Sequence, residues 1–97
     1  MFDGMCLEVL DKSPNAIVAW YLMASYAYYH EDDPILSDEV FDWLCVRFLE
    51  NWNAIKHPHK HLTDEGQLKC GTLLLGKDDY PSMVKGALSE VRKQKSG

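Results

Sequence analysis

The stretch YYHEDDPILSDEVFD spans residues 28–42 and lies between two apolar segments. Six of its fifteen residues are acidic, none is Lys or Arg, and Pro34 sits near its middle. Proline disfavours the α region for the residue before it, so a helix running into this stretch ends before Asp33. Ser37 can cap a new helix, with Asp38 and Glu39 in its first turn, where carboxylates complement the positive end of the dipole. The stretch therefore reads as the end of one helix, a tight connection and the start of the next.

Working outward, Ile17, Trp20, Tyr21, Ala24 and Tyr28 recur at helical spacing. Ser13 is a suitable N-cap and Pro14 a suitable first helical residue, which predicts a helix over 14–29. Downstream, Phe41, Leu44, Cys45, Phe48, Trp52 and Ile55 form a second stripe, predicting a helix over 38–55. A short connection makes the two antiparallel neighbours. Met5, Cys6, Val9 and Leu10 suggest a short N-terminal helix, and Met83, Val84, Ala87, Leu88 and Val91 a C-terminal one. Residues 56–71 are polar and irregular, and TLLL (72–75) reads as a short strand or a buried turn. The expectation is one all-α domain over residues 1–97: an antiparallel helical hairpin with a short N-terminal helix and an additional C-terminal helix.

Composition narrows the function. The chain has 97 residues, is 46% hydrophobic and 26% charged, and carries a net charge of -5. That suits a soluble globule and opposes direct nucleic-acid binding, which needs clustered cations. The basic cluster Arg92, Lys93 and Lys95 reads as a helix end complementing its own dipole. Three cysteines, without C-x-x-C spacing, suit free thiols in a reducing compartment. No apolar run reaches the roughly 20 residues of a membrane span, and the N-terminus lacks a basic signal-peptide start, so a cytoplasmic location is expected.

Tyr28 and Tyr29 close the first helix, while Asp38 and Asp42 lie one turn apart on the second. The hairpin would bring these together as a pocket rim of aromatic faces and carboxylates. Rings stack on planar or cationic groups and carboxylates accept from hydroxyls or amides, a combination that a nicotinamide riboside moiety offers.

YYHEDDPILSDEVFDWL resembles the N-terminal helical subdomain, domain Ia, of NAD-dependent DNA ligases. Tyr28, Tyr29, Asp32, Pro34, Ser37, Asp38, Asp42 and Leu44 fit that family's pattern directly. Leu36 is a near match, Phe41 replaces a tyrosine, and Val40 stands where the pattern has an acid. His57 and Pro58 resemble the H-P that follows the second helix, and the resemblance covers residues 16–63. It implies a cap over NAD, with nicotinamide-side contacts at Tyr28, Tyr29, Asp38, Phe41 and Asp42. At Phe41 it implies a stacking role without a hydrogen bond.

Adenylation needs a lysine in a K-x-D-G motif. The nearest approach, around Lys77, has Tyr80 in place of the glycine. No catalysis and no required cofactor are expected, with NAD or nicotinamide mononucleotide as the ligand the resemblance implies. By analogy the chain is a stand-alone, phage-encoded relative that binds such a nucleotide or docks on a host DNA ligase or other NAD-using protein. The competing expectation is a small acidic protein that inhibits a host nucleic-acid-binding protein or defence complex, with Glu31, Asp32, Asp33 and Glu39 spread over an exposed ridge. Two metal readings are set aside. His57, His59, His61 and Cys70 match no standard zinc module, and the acids at 31–33 lack the calcium-loop pattern. Trp20 and Trp52 are expected in the core, and Trp43, off the stripe, at a partner surface.

Overall fold

The computed structural model describes residues 2–57, 60–63, 65–70 and 77–95. Five α-helices follow in order: α1 (Asp3–Lys12), α2 (Ile17–His30), α3 (Asp38–Glu50), α4 (Glu65–Cys70) and α5 (Ser82–Lys95). Short 3-10 turns occupy Pro14–Ala16, Lys60–Leu62 and Lys77–Asp79. The described residues contain no strand. No helix among them is long and apolar enough to cross a membrane. The TLLL segment and part of the histidine run lie outside the described residues.

The fold is all-α and centres on α2, which packs against both α3 and α5, while α4 packs on α3. Apart from the half-buried Ala19, every residue of α2 from Ile17 to Ala27 is buried, including Val18, Leu22, Met23 and Tyr26, which lie off the sequence stripe. A helix apolar nearly all round is a core helix. The hairpin is antiparallel. Ile17 shares one concavity with Asn51 and Ile55, and Ala24 and Tyr28 share another with Asp38 and Phe41. Between them Tyr21 stacks on Phe41 at 5.9 Å and meets the edge of Phe48 at 5.8 Å. Offset and edge-to-face pairs of this kind contribute beyond their buried area.

Several boundaries differ from expectation. Ser13 makes no side-chain cap, and its N–H instead closes α1 on the Val9 carbonyl at 2.8 Å. Ser37 does cap, its Oγ accepting from the Val40 N–H at 3.3 Å. The second helix stops at Glu50 rather than at Ile55. The Asn51 backbone N–H and its side-chain amide both donate to the Arg47 carbonyl, at 3.2 and 2.9 Å, closing the helix, and the chain turns through 51–54. Ile55 stays buried because its N–H donates to the Asn51 carbonyl at 3.0 Å, while the Lys56 N–H reaches Asn15 Oδ1. Trp20 is buried as expected. Trp52, carried off the helix, is only partly buried: it stacks on Phe48 at 5.3 Å and lies under Lys60 Nζ. On α5, Val84, Leu88 and Val91 face the core, and Met83, about 100° round from Val84, is exposed.

The connection between α2 and α3 is held from both outer helices. The Phe2 N–H donates to the Ile35 carbonyl at 2.7 Å, and the Ser37 N–H to Asp3 Oδ1 at 2.9 Å. Asp32 turns the chain with φ of 51°, a left-handed conformation that Asp tolerates, and the Asp33 N–H reaches back to the Ala27 carbonyl. Arg92 does more than complement its own dipole. It reaches from α5 to Asp33 at 2.7 Å, to Glu31 at 2.8 Å and to the Asp33 carbonyl at 2.8 Å.

Phe48 is fully buried and Trp52 is not, so the two truncations should differ. Phe48→Ala is expected to cost about 3–5 kcal/mol in urea melts, and Trp52→Ala clearly less. Equal losses would contradict this placement of the aromatic rings.

Candidate functional site

The last turn of α2 and the first turn of α3 face each other across a cleft of about 280 Å³. Ala24 and Tyr28, one turn apart, and Tyr29 form one wall. Asp38, Phe41 and Asp42, at i, i+3 and i+4, form the other. Pro34, Ile35 and Leu36 complete it. All five residues singled out from the sequence, Tyr28, Tyr29, Asp38, Phe41 and Asp42, thus line one concavity. The sequence reading did not assign Ala24, Pro34, Ile35 or Leu36 to the site. Ala24 was legible as the residue one turn before Tyr28, whereas Ile35 is placed by the contacts that pin the connection.

The two tyrosine rings meet edge to face at 5.0 Å and are about half exposed. Phe41 is half-buried, its ring stacked on Tyr21 of the core. Asp38 and Asp42 are exposed, and neither forms an ion pair among the described residues. The cleft therefore combines aromatic faces with two uncompensated carboxylates. Such a wall attracts a planar cation and accepts hydrogen bonds from hydroxyls or an amide, and it repels a phosphate. The volume is at the small end for ligand sites, enough for a ring and a sugar but not for a dinucleotide.

Beneath the cleft lies a buried polar group. The hydroxyls of Tyr21, Ser25 and Tyr80 are buried without a hydrogen-bond partner among the described residues. Burial raises the Tyr21 phenol, with Cys45, Tyr29 and Tyr80 adding to the effect. Ser25, one turn on, pulls weakly the other way without reaching hydrogen-bond geometry. Burial likewise raises Tyr80, next to Tyr29 and Tyr26. Cys6 is pushed up to about 12 by burial and then by Asp3, and Cys45 up to about 11 by burial and then by Asp42. Both are free, buried thiols, the inert kind rather than nucleophiles. Among the described residues no group of three His, Cys, Asp or Glu side chains is placed to hold a metal ion. His59, part of the histidine set considered from the sequence, lies outside the described residues.

No family model, curated protein or solved structure matches the chain.

Two outcomes follow. Tyr21→Phe removes a buried hydroxyl that has no partner among the described residues, so stability in urea melts should hold or rise. A loss above about 1 kcal/mol would mean that the hydroxyl is hydrogen-bonded in solution. The raised thiol values stabilise the fold fully below the unfolded pKa, near 9, and that contribution is lost as pH rises through the folded values of about 11 to 12, with the raised phenols acting in the same direction at higher pH. Thermal melts should therefore fall progressively above about pH 9, and Cys45→Ala should blunt the fall. A flat profile between about pH 9 and 11 would contradict it.

Proposed function

We propose that the protein is a non-catalytic relative of the nicotinamide-binding subdomain of NAD-dependent DNA ligases, and that its cleft binds the nicotinamide riboside half of a nucleotide. The observation that carries the reading is the convergence of Tyr28, Tyr29, Phe41, Asp38 and Asp42 on one concavity of about 280 Å³. Tyr28 and Tyr29 would supply ring faces to the cationic pyridinium. Asp38 and Asp42 would accept from ribose hydroxyls and the carboxamide. Phe41, held from behind by Tyr21, would form a stiff wall. In an intact NAD-using assembly the adenosine half would lie against another protein surface.

The competing reading, an acidic ridge that blocks a nucleic-acid-binding protein, is less well supported. It needs Glu31 and Asp33 free, and both are engaged by Arg92.

A lone nicotinamide site should bind weakly. A dissociation constant of about 1 mM corresponds to about 4 kcal/mol, within reach of a stack and two hydrogen bonds. In NMR titrations, nicotinamide riboside is expected to shift amides at 28–30 and 37–42 at least as strongly as the mononucleotide, because the carboxylates disfavour its phosphate. AMP should leave them unmoved, and Asp42→Ala should abolish the response. Equal shifts with AMP, or none with the riboside, would end this reading.

A further inference from the structure

A second concavity, of about 360 Å³, lies at the opposite end of the hairpin, between α1 and α3. Leu7, Leu10, Ile17, Trp43 and Ile55 contribute apolar walls, and Asp11 and Arg47 contribute charge. Leu7, Trp43 and Val46 are 42%, 41% and 56% exposed, which places on this one face three of the six large exposed apolar side chains among the described residues. On α3, Glu39, Trp43, Val46 and Glu50 follow one another at steps of four, three and four, so they form a single exposed line along the helix. The line has an apolar centre and a carboxylate at each end, with Asp11 on the facing wall. Arg47 is the one cation among the described residues lining the groove.

We infer that this face docks a basic amphipathic helix of a partner protein. An exposed apolar centre inside a charged rim is the anatomy of an interface, and Trp is among the residues that anchor one. The partner's apolar side chains would fill the groove beside Leu7 and Trp43, and its Lys or Arg residues would meet Glu39, Glu50 and Asp11. The same charges argue against other occupants. A second copy of the chain would set Glu39 and Glu50 against each other when antiparallel, or each against itself when parallel. Each copy also carries a net charge of -5. An acidic segment or an anionic lipid surface would meet the same repulsion. None of these residues lines the cleft of the proposed nucleotide site, so the two inferences stand or fall separately.

The test is NMR titration of the full-length chain with an amphipathic helical peptide of about 18 residues built from Leu and Lys, and with its Leu and Glu counterpart. The Lys peptide is expected to shift amides over 7–11, 43–47 and 51–55. It should bind at least about tenfold more weakly at high salt than at low salt. The Glu peptide should not bind. Trp43→Ala and Val46→Ser, both at exposed positions, should weaken binding at least about tenfold, while Tyr28→Ala in the cleft leaves it unchanged. The proposal is overturned by equal binding of the two peptides, by no binding, by shifts confined to other surfaces, or by affinity unaltered in both variants. Concentration-dependent dimerisation of the chain alone, abolished by Trp43→Ala, would overturn it in favour of self-association.

Discussion

The connection over residues 31–37 is the point on which the structure turns. It is short, contains a proline and a left-handed aspartate, and would by itself allow α2 and α3 a range of relative angles. Two distant segments remove that freedom. Phe2 and Asp3 at the start of α1 bond to Ile35 and Ser37, and Arg92 in the second half of α5 bonds to Glu31 and Asp33. Arg92 and its partners are partly or largely exposed, so these pairs add little to global stability. Their consequence is geometric: the first and last helices are tied to the same few residues, and the angle of the hairpin is fixed between them.

The cleft inherits this stiffness. Its walls are the ends of the two helices that the connection joins, and Ile35 and Leu36 are buried within the connection itself. Phe41 belongs to both regions, since its ring lines the cleft and also packs on Tyr21, which in turn meets Phe48. Movement of that wall would have to disturb the close-packed core.

The acidic residues divide by role. Glu31 and Asp33 share the single cation of Arg92, Asp3 is spent on the Ser37 N–H, and Asp38 and Asp42 have no counter-ion among the described residues. Glu39 and Glu50 bracket the apolar line on the outer face of α3. An acidic composition that looks uniform in the sequence is therefore a structural clamp, a cleft and a rim in the fold. The buried thiols and phenols belong to none of these. They are core groups whose raised pKa values report burial rather than chemistry.

The sequence by itself determined the hairpin. Pro34, Ser37 and two helical stripes are local signals, and local signals specify where helices start, stop and face. It also brought Tyr28, Tyr29, Asp38 and Asp42 to one rim, because i, i+4 spacing at the facing ends of two antiparallel helices with a short connection leaves them little choice, whereas Phe41 read as a core position and joined the set only through the family resemblance. Only the tertiary structure decided what covers each face. Periodicity marks one stripe of α2, yet α3 and α5 together bury nearly all of it. The register of Phe41 to Ile55 continues a helix on paper, yet the Asn51 turn ends it and leaves Trp52 half out. The reach of Asp3 and Arg92 to the connection spans 34 and 59 residues of chain, and the groove beside Trp43 exists only because α1 folds back there. Contacts of that range leave no periodic trace in a sequence, since they depend on where whole helices settle once their apolar faces are buried.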